Sequence, residues 1–276
     1  MKNVARVLLF VAAASSALAG PPSGGTVRLV AAAPGYPGTT ETAQPTMDRF
    51  ALALASGLGW PPGRLTAVYD PDEDSGAARI ADESTVLALV PLPFYLAHRA
   101  ELRLDPLLVA SRTPRPAQVW SLVAAKGAAS GPADLGGWRV AGSAGYAPAF
   151  VRGVLFDSLP PDVEIVFSSR VLSLLRRAAA GEKVAVLLDE AQAGGVASLS
   201  FGGKLAVVAR SAPVPEALLC AVRGRLATDD RTAVKEAVMR LDEQSRELLS
   251  AMQIRRFFPV DEQGLAAVER AFDEAR

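Results

Sequence analysis

The chain has one cysteine, Cys220, and one histidine, His98. A single thiol cannot close an internal disulfide. One thiol and one imidazole are too few for the usual zinc sites. Cys220 sits in the apolar run Ala217-Leu218-Leu219-Cys220-Ala221-Val222 and reads as a small buried hydrophobe. His98 falls in Phe94-Tyr95-Leu96-Ala97-His98-Arg99, read as a surface helix away from every candidate ligand loop. A nucleophilic serine or cysteine therefore has no base, and no Gly-x-Ser-x-Gly elbow is present. The adjacent carboxylates Asp189 and Glu190 follow a strand and point in opposite directions, which does not suit paired acid–base chemistry. The acidic turn from Asp70 to Ser75 lacks the ligand spacing and closing glutamate of a calcium loop. Neither a cofactor nor a metal is expected, and the chain does not read as an enzyme.

Charge of one sign is also missing. Lys plus Arg equals Asp plus Glu at 29 each, and no basic run exceeds two residues. A nucleic-acid partner needs a clustered basic face, so none is expected. Beyond the N-terminus no uncharged apolar run reaches the ~18 residues of a membrane span.

What is present begins with a leader. Lys2 and Arg6 precede the apolar run Val7 to Ala14, and Ala17-Leu18-Ala19 has the small-x-small form of a cleavage site. Residues 1–19 read as a secretory signal peptide. An exported chain without disulfides fits a Gram-negative periplasm.

The mature chain alternates apolar strands with helices, the mark of an α/β fold with parallel sheets covered on both sides. Strands are expected at Thr26–Ala33, Leu65–Tyr69, Thr85–Val90, Leu107–Ser111, Val119–Ala125, Trp138–Ala141, Val163–Phe167, Val184–Leu188, Lys204–Ala209 and Leu218–Val222. Thr85–Val90 and Val184–Leu188 are almost wholly apolar, as strands buried on both faces are. A helix is expected over Pro45–Leu58, with Thr46 able to cap it. Another starts after Ser168-Ser169, with Val171, Leu172, Leu175 and Ala179 inward and Gly181 as its stop. The C-terminal part from Asp229 reads as three helices.

The stretch that organises this pattern is Asp134 to Phe150. A Gly136-Gly137 turn leads into a short strand, then the loop Gly142-Ser143-Ala144-Gly145, then a helix with Pro148 in its first turn. The free N–H groups and macrodipole of a helix start favour a negative group; a plain βα turn uses the same glycines for geometry alone. Ligands of open α/β sheets bind at loops leaving the carboxyl ends of strands. Here these are Gly35–Thr40, Pro91–Tyr95, Gly142–Tyr146, Ser168–Arg170 and Asp189–Gln192. They supply the candidate ligand residues Tyr36, Thr39, Thr40, Tyr95, Ser143, Gly145, Tyr146, Ser168, Ser169, Arg170 and Asp189. Trp120 and Ser121, at the start of the strand Val119–Ala125, join them. For Asp189, capping a helix and holding a cationic group both remain open.

The order of these pieces resembles the PhnD-like periplasmic substrate-binding proteins of phosphate and phosphonate ABC transporters. The matching features are Trp120-Ser121, Asp134-Leu135-Gly136-Gly137-Trp138-Arg139-Val140-Ala141, the Ser-x-Gly-Tyr of Ser143 to Tyr146, Ala185-Val186-Leu187-Leu188-Asp189, and Pro213-Val214-Pro215 before a strand. Two features depart from the family. Gly142-Ser143-Ala144-Gly145 carries two hydroxyls fewer than the family's Ser-Thr-Ser-Gly loop, and Ser168-Ser169-Arg170 stands where a His-Asp pair is usual. The resemblance implies a two-lobed type 2 periplasmic-binding-protein fold of mostly parallel sheets with two hinge crossings. Residues 26–115 and 212–276 would form lobe 1, and residues 116–211 lobe 2. It further implies a monomer that binds a small anionic or polar ligand, phosphonate- or phosphate-like, between the lobes and hands it to an ABC permease. A sensor without transport, or a degenerate binding module of the same fold, remains the alternative; an enzyme on this fold is a more distant one.

Overall fold

The two all-apolar runs lie inside two separate sheets. The computed structural model describes residues 25–276, with only the backbone at 242–244, so the expected leader lies outside the described residues. In chain order the elements are β1 (Val27–Ala32), α1 (Thr40–Gly57), β2 (Leu65–Asp70), α2 (Glu73–Ala81), β3 (Thr85–Pro91), α3 (Leu92–His98) and β4 (Leu104–Ser111). A first crossing carries β5 (Ala117–Gln118) into β6 (Ser121–Ala125), β7 (Arg139–Gly142), β8 (Glu164–Phe167), α4 (Val171–Ala179), β9 (Val184–Leu188), α5 (Glu190–Gly195) and β10 (Leu205–Arg210). The return crossing holds β11 (Val214–Pro215), followed by β12 (Ala217–Val222), α6 (Thr228–Gln244), α7 (Arg246–Ala251), β13 (Arg256–Pro259) and α8 (Glu262–Glu274).

The first sheet runs β13-β4-β12-β3-β1-β2, the second β10-β6-β9-β7-β8, and β5 pairs with β11 as a two-residue ladder between the crossings. Every residue of β3 and of β9 is buried. The expectation of mostly parallel sheets needs correction. β1 is parallel to β2 and β3, and β7 to β8 and β9. However, β12 is antiparallel to both β3 and β4, and β6 is antiparallel to β9 and β10. The reason is the double crossing: a strand that enters a sheet from the other half arrives from the opposite end. Both sheets are mixed.

Local chemistry explains the other departures from expectation. Thr39, rather than Thr46, caps α1, through a reciprocal box with Thr42 that satisfies two early N–H groups. Pro45 therefore falls inside the helix. In α4 it is Leu174, Leu175 and Ala178 that are buried, while Leu172 is 45% exposed. His98 is not on a surface helix: Leu92 to Leu96 of α3 are buried, and His98 Nε2 lies 2.9 Å from Glu73 Oε1. After the glycine loop the helix begins at Pro148, and Phe150–Leu155 widens into a π-helical segment.

One buried cluster runs through both halves, from Val30, Val90 and Phe94 to Trp120, Leu122 and Leu187. The C-terminal helix α8 helps join them. Its Glu269 accepts from Tyr95 Oη at 2.5 Å and its Asp273 takes Arg99, both first-half residues. On its other side, a Cβ on Gly153 of the π-helical segment would stand 2.3 Å from the Ala271 carbonyl oxygen. Only a glycine permits that approach. Cys220 is fully buried, and burial pushes its thiol well above the usual range, so it remains a packing residue.

Asp70 closes β2, 2% exposed, and accepts from Ser75 Oγ at 2.7 Å, Asp72 N–H at 3.0 Å and Arg79 Nε at 2.6 Å. Burial alone would raise its carboxyl, but these donors and the Arg79 charge hold it below its ordinary value of 3.8. A depressed carboxylate adds stability above its unfolded value and loses it as pH falls through the folded one. Asp70→Asn should therefore lower stability at pH 7 by about 1.5–3 kcal/mol, the worth of hydrogen bonds to a charged group. In denaturant melts the gap to wild type should hold from neutrality down to about pH 5 and close at lower pH.

Candidate functional site

Arg112 is the first residue after β4, where the chain leaves the first sheet. Its backbone N–H donates to Glu216 Oε2 at 2.8 Å, its Nε to Glu216 Oε1, and Ser111 Oγ lies 3.3 Å from the same carboxylate. Glu216 sits between β11 and β12 on the return crossing. The far end of the guanidinium crosses to the second half, where Nη2 donates to Asp189 Oδ2 at 2.8 Å. Asp189 and Glu216 are 1% and 5% exposed. Asp189 is spoken for twice: its Oδ1 accepts from Gln192 N–H at 2.8 Å, and Gln192 Oε1 accepts from Asp189 N–H, a box that starts α5. Capping and cation binding, left open by the sequence, are both observed here, the cation being the protein's own.

Tyr36 covers this cluster. Its ring centroid lies 5.2 Å from the Arg112 guanidinium carbon, within cation–π range. Burial pushes the Tyr36 hydroxyl well above the usual tyrosine range. Burial also opposes the Arg112 charge, but Tyr36, Asp189 and Glu216 outweigh it and keep the guanidinium firmly protonated. One cation against two carboxylates leaves the cluster at formal charge −1. A second pair sits beside it, Arg115 with Glu190, whose Oε2 is 3.4 Å from Val119 N.

The glycine loop closes over the other side. Gly35 has φ +80°, and a Cβ there would stand 3.0 Å from both Ser143 Cβ and the Phe167 ring. The two halves thus touch at Gly35, and only glycine fits both its backbone and its neighbours. Tyr146 stacks edge-on to Phe167, with centroids 6.1 Å apart. Its hydroxyl is buried without a hydrogen-bond partner among the described residues and faces the Phe94 backbone at the start of α3, with Tyr36 and Glu73 as its charged or polar neighbours. Burial drives that hydroxyl far above its ordinary range, so it stays a neutral donor.

The structure thus brings Tyr36, Ser143, Tyr146 and Asp189 to the region where the two halves meet. Gly145 belongs to the scaffold: a Cβ there would lie 2.2 Å from the Val166 carbonyl oxygen, so it is small to let the loop rest on β8. Ser168 lies beside the loop, its N–H donating to Gly142 O at 3.0 Å, and its Oγ accepts from Arg170 N–H. Ser169 and Arg170 are exposed. Thr39 and Thr40 form the start of α1. Trp120 is buried edge-on against Phe150, and Ser121 is buried in the second sheet. Tyr95 needs correction as a cleft residue: its hydroxyl is committed to Glu269 on α8.

Sequence reasoning missed Arg112 and Glu216. The available signal was positional: each is a charge immediately flanking an apolar strand, and each lies where the chain crosses between halves.

Removing Arg112 should be far more damaging than removing its partner across the cleft. Arg112→Met leaves two buried carboxylates uncompensated and should lower stability by about 3–5 kcal/mol. Asp189→Asn keeps a good helix cap and leaves Arg112 paired to Glu216, so its loss should be smaller. Arg177→Met, which breaks an exposed pair with Glu182, should be within about 1 kcal/mol of wild type. Denaturant melts of the three variants check this order.

The profile of the family described as ABC transporter, phosphonate, periplasmic substrate-binding protein matches residues 73–265. Solved structures share the two-lobed type 2 periplasmic-binding-protein fold. XAC2383 from Xanthomonas citri, solved bound to ATP, superposes with TM-score 0.70 at 14% identity, over 91% of this chain and 98% of that one. The binding protein component PA3383 of an ABC phosphonate transporter from Pseudomonas aeruginosa gives 0.64 at 11% identity, over 91% and 87%. PhnD1 from Prochlorococcus marinus, in complex with methylphosphonate, gives 0.62 at 12% identity, over 90% and 97%. No curated protein is significantly similar to the chain in sequence.

Proposed function

Because the chain belongs to the periplasmic substrate-binding proteins of phosphonate ABC transporters, we propose that it captures a small polar ligand of phosphonate or phosphate type in the interlobe cleft and delivers it to an inner-membrane permease. The protein acts as an exported, monomeric carrier in the periplasm, released from a leader spanning residues 1–19, and it performs no chemistry on its ligand. Its ligand contacts are Tyr36, Ser143, Tyr146 and Asp189, with Arg112 and Glu216 added to them and the Ser168–Arg170 turn at the rim. PhnD1 with methylphosphonate is a precedent for the ligand class on this fold.

The observation that carries this reading is the Arg112 cluster at the junction of the two halves, where Tyr36 of the first half and Asp189 of the second meet on one guanidinium. The cluster also narrows the ligand. A bare dianion would meet a site of formal charge −1 whose one guanidinium is already engaged. A zwitterion fits better. Its cationic group takes the place of Arg112 at Asp189, and the released guanidinium, with Ser143 and the Tyr146 hydroxyl, meets its anionic group. An aminoalkylphosphonate has this chemistry.

A thermal-shift panel tests the proposal, comparing phosphate, ethylphosphonate, 2-aminoethylphosphonate, sulfonates and amino acids. A true ligand at 100 times its dissociation constant should stabilise the fold by about 2.7 kcal/mol. The expected order is 2-aminoethylphosphonate above ethylphosphonate above phosphate. No stabilisation by any compound would favour the degenerate-module alternative, in which the Arg112 bridge and the Gly35–Ser143 contact are a permanent seal.

A further inference from the structure

The first half contains a pocket of about 320 Å³ that no residue of the second sheet lines. Its floor is the strand ends at Ala31, Leu89 and Ala110, and its walls are Met47 of α1 and Met252 after α7. It opens to solvent between Thr42 and Gln253, both exposed. Tyr36, Arg112 and Glu216 form its back wall, and beyond them Arg112 reaches Asp189 of the second half.

The pocket has the size and composition of a small-molecule site, mostly apolar with a few polar groups at the rim. Its volume equals the liquid share of about ten waters, room for one six-membered ring with a short substituent. Its only formally charged lining groups are Arg112 and Glu216, which pair with each other. A charged ligand would thus lose its hydration without gaining a free counter-charge. The rim offers the hydroxyl of Thr46, those of Thr42 and Tyr69 being spent on the Thr39 cap and on the Tyr36 carbonyl, and Gln253 is held there at φ +56°, a left-handed backbone that non-glycine residues rarely adopt.

We propose that this pocket binds a neutral, largely apolar small molecule, a monocyclic alcohol in chemical class, at a site separate from the interlobe cleft. Two methionines line it and a third, Met239 of α6, lies outside it, which gives a direct readout. Full-length protein carrying ¹³C-methyl methionine is titrated with benzyl alcohol. The Met47 and Met252 methyl resonances should shift saturably while Met239 stays in place. Ala43→Leu and Thr46→Leu fill the pocket from two independent helix positions, and each should abolish the shifts while the remaining spectrum stays that of the folded protein. Arg177→Met, which breaks only an exposed ion pair in the second half, should leave the titration unchanged. The proposal is overturned by a wild-type titration without saturation, by equal movement of all three methyls, or by shifts that persist in both Ala43→Leu and Thr46→Leu, which would place the probe outside this pocket.

Discussion

Arg112 stands where the chain leaves the first sheet, half-buried between two carboxylates that water scarcely reaches. Glu216, on the returning strand, engages its backbone N–H and its Nε; Asp189, from the opposite half, takes the remaining end. The two crossings and the second half thus converge on one side chain. The desolvation of three charges is offset only while this geometry holds. Tyr36 lies over the same guanidinium. A ligand that opens or re-forms the cleft must offer Asp189 and Arg112 replacements for each other.

The rest of the fold limits how such a change can occur. The paired β5 and β11 strands form a narrow strap between the halves, suited to bending. Helix α8 and the π-helical segment contact each other through Gly153, and one apolar cluster runs continuously between the halves beside them. The halves are thus tied along α8 and touch again at the Gly35–Ser143 contact. Closure by a ligand uses differential contacts present only when both halves meet.

Much of the fold was legible because its signals are local. The all-apolar runs β3 and β9 read as buried strands, and helix capping by Asp189 was one of the two roles its place after a strand allowed. The strand directions were not legible, since antiparallel insertion of β6 and β12 follows from where the chain goes between halves, not from any residue in those strands. The same limit hid the site's centre. Arg112 and Glu216 lie 104 positions apart, and nothing near either names the other. Gly145 shows the converse: its loop has the composition of an anion cradle, yet its own glycine is required by the Val166 carbonyl. Tyr95 sits at a strand's carboxyl end, where ligands gather, but its ring direction is set by α8, whose approach from the far C-terminus leaves no trace near residue 95.

The central claim is that a ligand's cationic group exchanges with Arg112 at Asp189. Calorimetric titration of wild type and Asp189→Asn with 2-aminoethylphosphonate and with ethylphosphonate tests it most directly, because the two compounds differ by the cationic group alone. The account predicts that Asp189→Asn weakens the amino compound by about tenfold or more, corresponding to about 1.4 kcal/mol, while ethylphosphonate binds the variant at least as tightly as wild type. Equal weakening of both compounds, or no change in either, would contradict it.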